Sequence, residues 1–165
     1  MDMKELYEGL KRIQDKGEIA NAYNGYGDIM DDDNYVLDYF YDEILERYED
    51  DFPSWAEAFI QVYSWQFQSL HESEETYYEN HYGNSEPEAI CRTANYLHKN
   101  GYHELQRLYV SPIKVYLPDI TGIAEDVFID DQKSLPEVRS DEHMEMEIVW
   151  HFYVDILEAH QAELV

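Results

Sequence analysis

The chain has 165 residues, which is the size of one folded domain. Its 37 aspartates and glutamates outnumber its 11 lysines and arginines, so that the formal net charge at pH 7 is −26. This balance excludes direct binding to nucleic acid or to an anionic membrane as an expected function, since both need cationic side chains opposite phosphates.

Three further features indicate the setting. No apolar run approaches the roughly 18–20 residues of a membrane span, and residues 1–5 do not begin like a signal peptide. A single cysteine, Cys91, cannot form an internal disulfide or a multi-cysteine zinc site. Aromatic residues make up 15% of the chain and provide the apolar surface that a disordered acidic tail lacks. We therefore expect a folded cytoplasmic protein.

Helical periodicity begins near the start of the chain. A first helix is predicted over 3–16, with Asp2 as its N-cap and Gly17 after its end. A second helix is predicted over 31–49, with its apolar residues on one face and a row of acids, one turn apart, on the opposite face. The apolar residues of this helix are Leu37, Phe40, Tyr41, Ile44 and Tyr48. The acids of the row are Asp38, Asp42, Glu46 and Glu49.

Two capping boxes mark the next long helices. Ser54 and Glu57 predict the start of a helix over 55–70, which has one formal charge in sixteen residues and is expected to be the most buried. A short helix is predicted around Tyr77. Ser85 and Glu88 predict the start of another helix, with Pro87 in its first turn. Its expected buried residues are Ile90, Cys91, Ala94 and Leu97. It is predicted to end at Asn100-Gly101, and a further helical piece is predicted over 103–110.

The last third of the chain changes character. Residues 111–139 hold three of the five prolines beside short β-branched runs, and they predict a minor β or irregular element. Residues 141–164 predict a long helix with Trp150, Tyr153, Val154, Leu157 and Leu164 in register. A strand over 141–154 stays open, because the apolar residues there also alternate with a period of two. The expected fold is mainly α: one compact domain over 1–165 of five to seven helices, mostly within 1–110.

The negative charge is segregated along the sequence. Eleven acids and one base, Arg47, lie between Asp28 and Asp51, and residues 48–91 contain no lysine or arginine. Solubility needs only about 2–8 net charges in a small domain, and excess charge of one sign repels itself. Tyrosine, which is enriched in protein interfaces, lies among these acids. The tyrosines concerned are Tyr35, Tyr39, Tyr41, Tyr77, Tyr78 and Tyr82, and core filling is expected for about half of them.

An acidic surface with exposed tyrosines is complementary to the basic groove of a nucleic-acid-binding protein. The sequence therefore predicts an acidic nucleic-acid mimic that inhibits a nuclease or another such protein by occupying this groove. The expected partner is a basic protein. The residues predicted to bind it are Asp31, Asp32, Asp33, Asp38, Asp42, Glu46, Glu49, Asp50, Asp51, Glu72, Glu74, Glu75, Tyr78 and Glu79.

No catalytic constellation is found, so that neither enzymatic activity nor a cofactor is expected. The acids from Asp31 onward do not match a calcium loop, because Val36 stands where that loop needs glycine. His143, Glu147 and His151 recur at helical spacing but lack a recognised metal-binding motif. A metal-dependent enzyme with acidic and histidine ligands stays open as an alternative, as does an immunity protein against a basic toxin.

Residues 55–109 carry a resemblance to known proteins. The hexapeptide at 75–80, ETYYEN, followed by a helix that ends at Asn100-Gly101, resembles a family of small, all-helical acidic proteins that includes DNA mimics. In composition and size the chain is also similar to phage anti-CRISPR and anti-restriction inhibitors. The resemblance implies a helical fold and, as the favoured target, a bacterial defence nuclease of the CRISPR type.

Overall fold

The computed structural model of the chain describes residues 4, 5, 7, 8, 11, 36–71, 77, 87–110 and 142–164. Within this part of the chain, 88% of the residues are helical, in six helices and without strands. The helices are α1 (Val36–Tyr48), α2 (Ser54–His71), α3 (Pro87–Lys99), α4 (His103–Val110), α5 (Glu142–Ala159) and α6 (Gln161–Leu164). The prediction of a mainly α protein is confirmed for the described residues.

The chain divides into two compact units. The first, called the terminal unit here, consists of Met1–Asp51 and Glu142–Val165 and contains α1, α5 and α6. The second, the central unit, consists of Phe52–Asp141 and contains α2, α3 and α4. The expectation of a single domain over 1–165 stays a prediction.

The core of the terminal unit contains α5 residues from most of the helix circumference. All five residues predicted to be in register are buried: Trp150, Tyr153, Val154, Leu157 and Leu164. Among the α5 side chains that the structure describes, from Ile148 to Ala159, the exposed polar residues lie along a narrow stripe, at His151, Asp155 and Glu158. The long C-terminal helix is confirmed, with a turn at His160 between α5 and α6, and the alternative of a strand over 141–154 is wrong. The apolar side chains from Val149 to Leu157 are all buried, which explains why both periods are visible in this part of the sequence.

The same unit buries the predicted apolar face of α1. Leu37, Phe40 and Ile44 are buried, while Tyr41 and Tyr48 are half-buried. The helix ends at Tyr48, one residue before the predicted end.

The core of the central unit is formed by α2, which packs on α3, and by α3, which packs on α4. As predicted, α2 is strongly apolar, and it buries Trp55, Ala56, Ala58, Phe59, Ile60, Val62 and Trp65. The four residues expected to line α3 are all buried, from Ile90 to Leu97. Burial of the Cys91 side chain raises the pKa of its thiol, which favours the protonated, unreactive form.

The end of α3 is a Schellman motif. Gly101 has a φ of 84°, its N–H donates to the carbonyl of His98 at 3.3 Å, and the N–H of Tyr102 donates to the carbonyl of Leu97 at 2.9 Å. The predicted helix end at Asn100-Gly101 is confirmed. The chain then enters α4, which matches the helical piece predicted over 103–110.

Several predicted elements lie mostly or wholly outside the described residues. Of the first helix, Lys4, Glu5, Tyr7, Glu8 and Lys11 are described, and all five are helical. Of the short helix predicted after α2, Tyr77 is described and is helical and buried. The β or irregular element predicted over 111–139 lies outside the described residues.

Candidate functional site

The described part of the predicted partner-binding set lies on α1 and in the turn that follows it. Asp42, Glu46, Glu49, Asp50 and Asp51 are exposed, and we call these five residues the acidic surface of α1. Asp38, the sixth predicted residue in this region, is half-buried. The other predicted residues lie outside the described residues: Asp31, Asp32, Asp33, Glu72, Glu74, Glu75, Tyr78 and Glu79.

The ion pairs of the described residues do not involve the acidic surface of α1. Four lysines and arginines pair with carboxylates elsewhere. These pairs are Lys4–Glu8 at 3.9 Å, Lys11–Glu158 at 4.0 Å, Arg47–Glu43 at 2.9 Å and Arg92–Glu57 at 2.6 Å. None of the four carboxylates belongs to the predicted partner-binding set, so these cations leave the charge of the acidic surface unneutralised.

The base nearest to the acidic surface in the sequence, Arg47, connects α1 to the end of the chain. Its Nη2 donates to Oε1 of Glu43 and to the carbonyl oxygen of Leu164, both at 2.9 Å. Next to it, the hydroxyl of Tyr48 donates to Oε2 of Glu163 at 3.5 Å, and Nδ1 of His160 lies 2.9 Å from Oε1 of the same glutamate. Burial, reinforced by the carboxylate of Glu163, raises the pKa of Tyr48. These contacts fix the C-terminal end of α1 on α6 and occupy the guanidinium of Arg47.

The position of the acidic surface opposes the dipole of α1. Glu46, Glu49, Asp50 and Asp51 lie in the last turn of the helix or just after it, where the partial charge of the helix is negative. A carboxylate at this end is unfavourable by a few tenths of a kcal/mol or more, whereas Arg47 there is favourable. Helix stability therefore gives no reason for this accumulation of acids.

The charge density of this region approaches that of a nucleic-acid strand. Residues 36–51 contain seven acids and one base, which gives a net charge of −6. If the three residues after α1 are given the helical rise of 1.5 Å as well, these sixteen residues span about 24 Å, or one net charge per ~4 Å. One strand of duplex DNA carries one charge per ~3.4 Å of its axis.

One aromatic side chain lies beside these acids on α1. Tyr39 is 46% exposed and is the large hydrophobic side chain classed as exposed in the described part of the chain. Of the other tyrosines predicted near acids, Tyr41 is half-buried and Tyr77 is completely buried. Tyr39 therefore fits the interface interpretation, and Tyr77 fits the core-filling one.

Glu57 in the central unit has a role that the sequence did not indicate. Its carboxylate accepts from Nε of Arg92 at 3.0 and 2.8 Å and from Nη2 at 2.6 Å, a bidentate contact between α2 and α3. Its backbone N–H donates to the carbonyl of Pro53 at 3.0 Å. The predicted reciprocal capping with Ser54 is thus replaced, because a guanidinium is a stronger partner for a carboxylate than a backbone N–H.

The central unit also buries a chain of hydrogen bonds around Tyr77. The Tyr77 hydroxyl donates to Oε1 of Gln61 at 2.7 Å and lies 2.7 Å from the hydroxyl of Tyr109. Because the Tyr77 proton is used toward Gln61, Tyr109 is the donor in the second bond. Trp65 meets the Tyr109 ring edge-on at a centroid distance of 5.6 Å. Burial raises the pKa of Tyr109 well above the ordinary tyrosine value, so that this network is neutral and structural.

The metal-dependent alternative depends on histidine and acidic side chains, of which the structure describes only a part. Within these residues no three histidine, cysteine, aspartate or glutamate side chains converge on a possible metal position. His151 is exposed, while the side chains of His143 and Glu147 lie outside the described set. Likewise, none of the described helices combines the length and the apolar character needed to cross a bilayer.

Comparisons with protein-family models, with curated proteins and with solved structures find no match to this chain. The resemblance of residues 55–109 to acidic DNA mimics stays a prediction.

Proposed function

We propose that this protein inhibits a nucleic-acid-binding protein, in the first place a nuclease, by placing the acidic surface of α1 in its basic groove. The observation that carries the proposal is the state of the five carboxylates of the acidic surface of α1. They are exposed and adjacent along one helix and its end, and the ion pairs of the described residues leave them unneutralised.

Electrostatic complementarity is the physical basis of this function. A groove that holds phosphates presents lysines and arginines at high density, and a surface with one net charge per ~4 Å offers them a substitute for one strand. Such complementarity raises the association rate and sets the orientation of the complex. Because the same cations cannot serve both ligands, the protein and the nucleic acid compete.

Solubility does not account for the arrangement. A net charge of −26 is far beyond the 2–8 charges that keep a small domain in solution. The acids also accumulate at the end of α1 where the helix dipole disfavours them. A binding role explains both the excess charge and its position.

The first test identifies a partner by competition. The full-length protein is immobilised and exposed to a bacterial lysate at 50 and at 500 mM salt, with and without duplex DNA. We expect a basic nucleic-acid-binding protein that is retained at 50 mM, lost at 500 mM and displaced by DNA. Its activity on nucleic acid should fall when the protein is added. Partners that DNA does not displace, or whose activity is unaffected, would contradict mimicry.

The second test locates the surface with two variants of equal charge. Asp42→Lys/Glu46→Lys reverses two exposed acids of the acidic surface, and Glu104→Lys/Asp155→Lys reverses two exposed acids elsewhere. Each double variant changes the net charge by four. Affinity for the partner should fall at least about tenfold in the first variant and at most about threefold in the second, since local complementarity outweighs net charge. Equal losses, with both proteins still helical by circular dichroism, would remove α1 from the interface.

A further inference from the structure

The outer face of α1 combines an exposed ring with available carboxylates. Tyr39, Asp42 and Glu46 lie on the same side of the helix, and Asp42 neighbours both of the others, at a spacing of three from Tyr39 and of four from Glu46. The carboxylate at the remaining neighbouring position, Glu43, is engaged by Arg47. Tyr39, Asp42 and Glu46 therefore form a small mixed face, which we call the Tyr39 face.

The protein holds one of its own cations with the same pair of groups. In the terminal unit Nζ of Lys11 lies 5.7 Å from the ring centroid of Tyr7 and 4.0 Å from Oε1 of Glu158. The ring attracts the cation through its quadrupole, and the carboxylate attracts it through its charge. A tyrosine beside a glutamate is thus an arrangement that binds a cationic side chain in this fold.

We propose that the Tyr39 face binds an arginine side chain of the partner protein, an inference that rests on the proposed function and specifies its contact chemistry. A guanidinium stacks on the Tyr39 ring and makes hydrogen bonds to the carboxylate of Asp42, with Glu46 adding attraction. Arginine fits better than lysine because its planar group is more weakly hydrated, stacks on aromatic rings and pairs bidentately with carboxylates.

The test uses two fluorescent peptides of equal charge, nine arginines and nine lysines, and measures their affinities for the full-length protein by anisotropy. The wild-type protein should prefer the arginine peptide. Tyr39→Leu keeps apolar area but removes the ring, and it should lower the ratio of the two affinities by about two- to fivefold, the range for an exposed cation–π contact. Tyr39→Phe keeps the ring and should leave the ratio within about 1.5-fold of wild type.

A double-variant cycle shows whether ring and carboxylate act on the same guanidinium. Tyr39→Leu and Asp42→Asn should be non-additive for the arginine peptide, and the coupling should be larger for this peptide than for the lysine peptide. An unchanged ratio in Tyr39→Leu, an equal loss in Tyr39→Phe, or additivity for both peptides would overturn the inference.

The outcome is separable from that of the proposed function. If nucleic acid does not displace the partner but the arginine preference depends on the Tyr39 ring, mimicry fails and the arginine site stands. If nucleic acid displaces the partner while the ratio of the two peptide affinities is unchanged in Tyr39→Leu, mimicry stands and the arginine site fails.

Discussion

Glu57 of the central unit and the acidic surface of α1 in the terminal unit differ in what their carboxylates contact. In the central unit Glu57 is only 17% exposed, and its carboxylate is held by Arg92. In the terminal unit the five acids of the acidic surface of α1 are exposed, and Arg47 is engaged with Glu43 and the carbonyl of Leu164 instead. The carboxylate of Glu57 contributes to folding through its ion pair, whereas the carboxylates of the acidic surface are not required for folding. Carboxylates of the second kind remain available to a binding partner.

The largest expected effect is the loss of the guanidinium in the central unit. Arg92→Met should lower the free energy of unfolding by about 2 kcal/mol, because it leaves a mostly buried carboxylate without its charged donor. The estimate is below the cost of breaking a fully buried pair, since the Arg92 side chain is 56% exposed. Urea unfolding followed by circular dichroism measures the change.

The matched control lies in the terminal unit. Asp42→Asn and Glu46→Gln also remove one charge each, but they should leave the free energy of unfolding unchanged or raise it by up to about 0.5 kcal/mol. The contrast would be contradicted if Arg92→Met changed the free energy of unfolding by no more than Asp42→Asn and Glu46→Gln do. A Glu57→Gln/Arg92→Met cycle then gives the coupling of the pair alone.

The second effect concerns the buried tyrosines of the central unit. Tyr109→Phe should cost about 1–1.5 kcal/mol at neutral pH, because it removes the hydroxyl bonded to Tyr77 at 2.7 Å. Burial raises the pKa of Tyr109 in the folded protein above its value of about 10 in the unfolded chain. Protonated Tyr109 therefore contributes its full stabilisation below pH 10, and this contribution is lost as the pH rises through the pKa of the folded protein. Stability should therefore fall more steeply above pH 10 in the wild-type protein than in Tyr109→Phe.

Tyr7 supplies an internal comparison for this titration. Burial and the nearby carboxylate of Glu158 raise the pKa of Tyr7 to about 12. Absorbance of tyrosinate, recorded together with circular dichroism, should show Tyr7 and Tyr109 ionising above the ordinary tyrosine range. Parallel pH profiles for the wild-type protein and Tyr109→Phe would mean that Tyr109 does not couple ionisation to folding.

Local signals in the sequence were enough to predict the helices. The spacing of Ile90 and Leu97 gave the buried face of α3, and Asn100-Gly101 gave its end, because both depend on residues within one or two turns. The same spacing argument predicted an outward row on α1, and Asp42, Glu46 and Glu49 are exposed in the structure.

The partners of the charged groups could not be predicted in this way. Glu57 and Arg92 are 35 residues apart, and Arg47 and Leu164 are 117 apart, so no local pattern connects them. The capping-box interpretation of Glu57 used the nearest plausible partner, whereas tertiary packing supplied a stronger one. The separation of paired from unpaired carboxylates, on which the proposed function depends, therefore required the three-dimensional structure.

The smallest expected effect concerns the ends of α1 and α3, which both use a left-handed residue. Gly101 adopts a φ of 84° without strain, and a Cβ there would meet no atom within 4 Å. Gly101→Ala should thus cost about 1 kcal/mol for backbone conformation alone. Glu49, at the end of α1, adopts a φ of 51° although it is not glycine. Glu49→Gly should accordingly stabilise the protein by about 0.5–1 kcal/mol.

Charge and conformation at Glu49 can be separated by a second substitution. Glu49→Gln removes the carboxylate but keeps a side chain in the left-handed region, so the gain of Glu49→Gly over Glu49→Gln in thermal unfolding reports the backbone strain alone. If both variants gained the same thermal stability, the whole effect would be due to the unfavourable charge at the end of the helix. If the glycine variant is more stable but binds the partner less well, the glutamate at this position exchanges folding stability for binding, as the contrast between the two units implies.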